Sequence, residues 1–253
     1  MEKAVKILHS KKLPNIVFDL MAGIAGQTVE SFKQSVIEII KLKPDTVEIY
    51  ALGVMPYTSW QNKNEVFMPD KDIYRCYKLA MKLFLNAGYI QDCHNRYALP
   101  GRGSFLQEDN VFKGETLIGF GAGARTYATN MHYRNNYSAN NHYSAVKKYI
   151  ENINNDKSPI EDGLKISPEE SIRQYMIYNI EKLNILEFEK RFQTSFDKLF
   201  GPIIKTLIKN KLGKISKQYF LLNKKGLLFR DLIAHEFFSL SVRNIEENYR
   251  PTI

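Results

Sequence analysis

The sequence has little cysteine: Cys76 and Cys93 are the only two among 253 residues. Thiols so few and so far apart support neither a disulfide framework nor a zinc site, and they suit a reducing compartment. The five histidines fall at no metal-ligand spacing, so no metal site is expected from them. No serine or cysteine sits in a nucleophile elbow. Long apolar runs are missing too, with nothing near the roughly 20 residues that cross a bilayer. The amino terminus, MEKAVKILHSKKLP, is too polar to hold the apolar region of a secretory signal. A soluble, cytoplasmic protein with no membrane partner is therefore expected. There is no internal repeat or low-complexity segment.

What is present is enough apolar sequence, 44% of residues, to bury one large core, or one core with a small appendage. Lysine and arginine outnumber acids by 36 to 27, a net charge of +9. The lysines are scattered through helical stretches and never form a block of about five like charges, which argues against nucleic acid as a partner. A basic surface equally suits a small substrate with several carboxylates.

Periodicity divides the chain. Asn15–Met21 reads as a strand, and Thr28 opens a helix with Val29, Phe32, Val36, Ile39 and Ile40 on one face and Pro44 beyond its end. Thr46–Leu52 is β-branched and aromatic, so strand–helix–strand makes a parallel βαβ unit. A loop through Pro56, Thr58, Trp60 and Asn64 leads to a helix over about Asp70–Asn86, with Ile73, Tyr77, Ala80 and Phe84 inward and Gly88 past its end. Tyr89–Cys93 is a short strand, Ala98–Gly103 a turn, and Thr116–Phe120 a buried strand entering a glycine-rich corner. Repeated units of this kind predict an α/β barrel or an open parallel sheet. From about Asn152 a polar connector, NINNDKSPIEDG, gives way to helical patterning with one strand-like piece near Tyr219–Leu222, an order compatible with a winged-helix-like module.

Three stretches, in order, resemble one family. Asp19–Thr28, DLMAGIAGQT, is similar to the DLIxGLPGQT loop of the oxygen-independent coproporphyrinogen III oxidase-like radical S-adenosylmethionine enzymes. Pro44–Thr58 resembles that family's next strand and its proline-containing exit. Gly88–Asn136 contains GYIQDCHNRYALPGRG, IGFGAGARTYA and YRNNYS, in the family's GY, ALPG, LGFGAGAHS, RxxN order. The tail, through FDKLFGPIIKTLIKNKL and YFLLNKKGLLFRDLIAHEFFS, looks like the small domain that closes these enzymes. The resemblance implies the carboxy-terminal half of a radical S-adenosylmethionine-type (βα) barrel over 1–151 and a small, mainly helical, winged-helix-like domain over 152–253.

By motif match, Asp19, Gly23, Gln27, Gly53 and Arg125 are the candidate contacts to S-adenosylmethionine. Asp19 would end a buried strand, and the Gly23–Gln27 loop at a helix start physically suits a carboxylate or phosphate. Ala25 replaces the family's proline. Gly119, Gly121 and Gly123 superficially match a dinucleotide fingerprint, but the aromatic and polar run after them is no amphipathic helix, which excludes a nicotinamide or flavin site. His94, Arg96 and Tyr97 follow a strand where barrel ligands gather; a surface loop is the plainer reading. His132 and His142 lie in a polar-aromatic segment. The family's CxxxCxxC triplet, whose thiolates bind a [4Fe–4S] cluster, is absent, so the ligands for that cofactor are missing here and no catalytic residue is named. Three functions follow. The chain forms the substrate side of an enzyme acting on a tetrapyrrole, with a separate amino-terminal half or in a homo-oligomer; or it binds haem or another porphyrin without catalysis; or its tail, with Lys214, Lys217, Lys224, Lys225 and Arg230, binds nucleic acid, the least favoured reading.

Overall fold

The computed structural model describes residues 2–11, 13, 15–53, 66–102, 105, 110–138 and 141–248. The expected loop through Pro56, Thr58, Trp60 and Asn64, the exit of the second motif and Gly103 lie outside the described residues. The chain forms two compact units, Met1–Ser104 and Phe105–Ile253.

The first unit opens with helix α1 (Glu2–Ser10) and continues into strand β1 (Val17–Ala22), helix α2 (Val29–Leu42) and strand β2 (Thr46–Ala51). Thr28 caps α2 through a reciprocal capping box with Ser31, satisfying amide groups that the first turn leaves unpaired. Lys43 ends the helix in the left-handed conformation at φ 50°, and Pro44 prevents its continuation. Because α2 crosses over one face, β1 and β2 pair in parallel, Val17 opposite Thr46 through Ala22 opposite Ala51. Helix α3 (Asp70–Asn86) buries Cys76, Ala80 and Phe84 against Phe32, Val36 and Ile39 of α2 and Val47 and Ile49 of β2.

The parallel expectation holds for that first pair only. Strand β3 (Ile90–Gln91) and strand β4 (Arg96–Ala98) form an antiparallel hairpin, and β4 returns antiparallel to β2. The sheet order is β1-β2-β4-β3, a mixed sheet with β1 at one edge among the described residues. The physical reason is the tight reversal over Asp92–Asn95, closed by the Asp92 amide donating to the Arg96 carbonyl at 3.2 Å, which leaves no room for a crossover helix. The Ala98–Gly103 segment does turn: the Arg102 amide reaches the Leu99 carbonyl at 2.9 Å, with Gly101 at φ 76°.

In the second unit, strand β5 (Arg125–Ala128), strand β6 (Met131–Asn135) and strand β7 (Ile160–Lys165) form an antiparallel sheet, with helix α4 (His142–Asn154) between the last two strands in sequence. Here two expectations are corrected. Thr116–Phe120 is no buried strand: Leu117 alone makes a bridge, to Tyr127, while Ile118 and Phe120 are 57% and 85% exposed. Gly119 explains the departure, because a side chain there would collide with the Arg125 backbone. The polar connector is likewise structured, since β7 pairs with β6 across it.

Helix α5 (Pro168–Asn179), strand β8 (Lys182–Asn184), helices α6 (Ile185–Phe192) and α7 (Phe196–Lys209), and the hairpin of strand β9 (Gly213–Ser216) and strand β10 (Tyr219–Leu222) surround the second core. The hairpin joins β8 in the order β8-β10-β9, so the strand-like piece near Tyr219–Leu222 has two partners. Phe188 stands at the centre of this core, its ring 5.1 to 5.9 Å from those of Phe192, Phe196 and Phe200. Fully burying one such side chain is worth about 1.5–3 kcal/mol. Helices α8 (Lys224–Leu228), α9 (Arg230–His235) and α10 (Leu240–Asn248) complete the described chain.

Candidate functional site

Alternation along β1, β2 and β4 separates two faces of the first sheet. Phe18, Leu20, Val47, Ile49 and Tyr97 turn toward α2 and α3. Asp19, Glu48 and Arg96 occupy the other face, where the register sets Asp19 opposite Glu48 and Glu48 opposite Arg96. The result is a cross-strand row of acid, acid and base. Glu48 and Arg96 are buried, at 7% and 6% exposure, and buried charges persist only when paired. The Arg96 Nε donates to both oxygens of Asp92 at 2.9 and 3.0 Å, and the Tyr50 hydroxyl donates to Glu48 Oε2. Asp19, expected to end a buried strand, lies within β1 with its side chain exposed. Its carboxylate meets no side-chain donor among the described residues, which leaves it open to a ligand's hydroxyl or ammonium group.

The Gly23–Gln27 loop is built differently from the expectation. Three of its amide groups are spent within the chain: Gly23 donates to Gln27 Oε1 at 2.7 Å, Gln27 to the Ile24 carbonyl at 2.9 Å and Gly26 to the Val66 carbonyl at 3.4 Å. Gln27 Nε2 returns to the Met21 carbonyl at 3.2 Å, so Gln27 staples the strand end to the helix start. Gly23 is at φ 101°, and a side chain there would press on Ile73 of α3; its absence of a Cβ serves packing and conformation together. At Gly53 a Cβ would meet nothing within 4 Å, so that strand exit leaves space for close approach.

Of the three residues weighed between a barrel mouth and a surface loop, Tyr97 is neither: it goes into the core, stacked on Phe84 at 5.1 Å, with burial pushing its hydroxyl well above the usual tyrosine range. Arg96 joins the polar row, and His94 stays in the reversal before β4. Sequence reasoning missed Glu48 and Asp92; the alternation of Val47 and Ile49 with Glu48 and Tyr50 was the signal for Glu48, and no pattern marked Asp92.

In the second unit the glycine corner and the YRNN run are one construction. Asn135, buried at the end of β6, donates through Nδ2 to the carbonyls of Gly119 and Gly121 at 3.1 and 3.0 Å. The Gly123 amide reaches the Asn136 carbonyl at 2.9 Å, and Gly121 and Gly123 take φ of 103° and 73°. The corner leads into β5 and not into a helix, which agrees with the exclusion of a dinucleotide fingerprint. Arg125 opens β5, exposed, opposite Arg134. Arg134 pairs with Asp162, while the Arg125 side chain has no hydrogen bond or ion pair among the described residues and is available to a carboxylate. His142 begins α4 on the surface. Arg230 turns inward, donating to the Ile177 carbonyl at 2.9 Å, which removes it from any basic nucleic-acid surface.

The chain does not fit a [4Fe–4S] cluster by its own residues. Cys76 is buried in α3, its thiol pushed up to about 11 by burial and, secondarily, by the charge of Asp72, with Met68 Sδ at 3.7 Å. Cluster ligation needs thiolates. No group of three histidine, cysteine or acidic side chains suited to a metal occurs among the described residues.

The folds and sites together define an α/β protein with mixed sheets, and its fold is that of a solved structure: coproporphyrinogen III oxidase (HemN) from Escherichia coli, described as a radical SAM enzyme, with a TM-score of 0.75 and 16% identity over 93% of this chain and 57% of that one. No family model matches the sequence. The chain is a relative of the HemW haem chaperones and the oxygen-independent coproporphyrinogen III oxidases, as its ordered motifs imply. HemW of Lactococcus lactis is 27% identical over 92% of this chain, HemW of Bacillus subtilis 27% over 88%, and the Helicobacter pylori oxygen-independent coproporphyrinogen III oxidase 21% over 100%. The chain spans 61%, 59% and 58% of those relatives' lengths.

Proposed function

We propose that this chain is the ligand-facing portion of a coproporphyrinogen III oxidase-like or HemW-like protein, handling a tetrapyrrole or a related substrate and binding S-adenosylmethionine. The observation that carries the proposal is the row Asp19, Glu48 and Arg96 on the sheet face away from the helices. A merely solvated sheet face would leave its charges in water, whereas Glu48 and Arg96 are buried there at a desolvation cost, and acceptors beside a buried cation suit a polar ligand. On this reading β1, α2, β2 and α3 are successive elements of a partial (βα) barrel that runs to residue 151. The elements from 152 onward, with α6, α7 and the β9–β10 hairpin, are the winged-helix-like closing domain. Asp19 and Gly53 would contact S-adenosylmethionine directly, Gly23 and Gln27 would shape the loop beside it, and Arg125 would take a carboxylate. The cluster cysteines would come from a separate amino-terminal half. No helix among the described residues is long and apolar enough to cross a membrane, and a cytoplasmic location is part of the proposal.

Calorimetric titration with S-adenosylmethionine tests the cofactor assignment. Saturable binding that Asp19→Asn weakens about tenfold, or ~1.4 kcal/mol, is expected; equal affinity in the variant would remove Asp19 from the site. A second reading, haem or porphyrin binding without catalysis, is favoured by the two cysteines' misfit to a cluster and by the haem-chaperone name of two relatives.

A further inference from the structure

The second unit holds a cavity of about 360 Å³ whose lining includes none of the candidate S-adenosylmethionine contacts. Its size lies in the roughly 300–1,000 Å³ range of small-molecule sites, and close-packed interiors leave few voids larger than water. One side is formed by Phe112 and Tyr178, stacked at 5.1 Å with their planes 30° apart. Another is formed by Tyr127 and His132, edge to face at 5.0 Å. Gln174 lines the cavity between them, its Nε2 3.4 Å from His132 Nε2 and 3.2 Å from the Tyr178 hydroxyl. Flat aromatic sides with few polar groups between them suit a flat aromatic ligand.

Two charged residues line the cavity, and their support differs. The Arg191 guanidinium lies over the rings of Tyr175 and Phe192 at 5.2 and 5.7 Å and donates through Nη1 to the Lys113 carbonyl at 2.7 Å. It also lies against Gly114, where any side chain would displace it. Held on three sides, it keeps further N–H groups free, and a preorganised planar fork is well matched to a carboxylate. Glu115 is exposed and no side-chain contact among the described residues fixes it, so it can turn away from an anion at little cost. Burial lowers the His132 pKa, so near neutral pH the ring adds a hydrogen-bonding group and no second cation.

We infer that this cavity binds a planar aromatic carboxylate of one or two fused rings, the ring between Tyr178 and Tyr127 and the acid on Arg191. Two sources share this chemistry: a free aromatic acid, and the carboxylate-bearing rim of a larger tetrapyrrole, of which the second rests on the function proposed above.

The test is fluorescence titration of the full chain with 2-naphthoate, alongside the neutral 2-naphthalenemethanol. Saturable one-to-one binding of the acid is expected, weakened at least about tenfold (~1.4 kcal/mol) by Arg191→Gln, with the alcohol weaker in the native chain and unaffected by the substitution. Arg191→Lys, which keeps charge without the fork, should fall between. If Arg191→Gln fails to fold, Tyr178→Leu should weaken both probes and serves in its place. Displacement of naphthoate by coproporphyrin III identifies the tetrapyrrole source, and its absence the free acid. No saturable binding of the acid, or an alcohol that binds as tightly as the acid, would overturn the assignment. Neither result depends on S-adenosylmethionine or haem binding, so failure here and failure of the proposed function remain distinct.

Discussion

Asn135 should act as the keystone of the glycine corner, and removing its amide should cost more than an ordinary surface polar change. The side chain is attached to a residue only 4% exposed and makes two donations, to Gly119 and Gly121. Each bond contributes about 1 kcal/mol net, and a carbonyl left without a donor costs a further ~1–3 kcal/mol if water cannot replace it. Both glycines are partly exposed, so water would meet much of that second cost. Asn135→Ala should therefore lose about 2–3 kcal/mol. With a urea m-value of about 2 kcal/mol/M, the midpoint falls by roughly 1–1.5 M in a circular-dichroism titration. Asn135→Asp should be worse at neutral pH, because it sets a carboxylate against two carbonyl oxygens. That repulsion raises the folded-state pKa above the ordinary aspartate value of about 3.9. The variant's stability, greatest below about pH 4, should then be lost as pH rises through the raised value. A midpoint for the alanine variant within about 0.2 M of native, or an aspartate variant with no added pH dependence, would refute the keystone role.

Other consequences are simpler. Arg96→Met should destabilise the first unit by about 1–3 kcal/mol in the same titration, because it strands part-buried Asp92 without its cation; an unchanged midpoint would mean water already compensates that carboxylate. Lys43→Gly should stabilise by about 0.5–1 kcal/mol, since glycine adopts the left-handed helix end at φ 50° without strain. At pH 8 iodoacetamide should leave Cys76 unmodified in the native protein and alkylate it in denaturant, as peptide mass spectrometry would show. Because burial lifts this thiol to about 11, its stabilising contribution is complete below the unfolded value of about 8.5 and is lost as pH climbs toward 11.

Much of the first unit was legible because its cues are local. Thr28 and Pro44 bound α2, and the 3.6-residue spacing of Phe32, Val36 and Ile39 or of Ile73, Tyr77, Ala80 and Phe84 fixes which faces meet, although Cys76 and not Ile73 or Tyr77 proves fully buried. The direction of β4 was not legible, since a three-residue strand carries no sign of whether it pairs parallel or antiparallel. Thr116–Phe120 misled for a related reason. Its apolar run looks buried, but Gly119 brings the chain against the backbone of Arg125, a contact set by tertiary structure. Among the candidate site residues, Asp19 and Gly23 were picked out by motif likeness, whereas the placement of Glu48 opposite Arg96 depends on a register the sequence does not state. Arg191 and Gly114 lie far apart in sequence and meet only in the folded second unit.

The most direct test of the central claim is anaerobic iron–sulfur reconstitution of the purified chain followed by separate titrations with S-adenosylmethionine and with haem. The proposed function predicts iron and sulfide well below one cluster per chain, together with saturable S-adenosylmethionine binding; haem binding without S-adenosylmethionine binding would favour the second reading instead. A stoichiometric [4Fe–4S] cluster on this chain alone, or saturable binding of neither ligand, would contradict it.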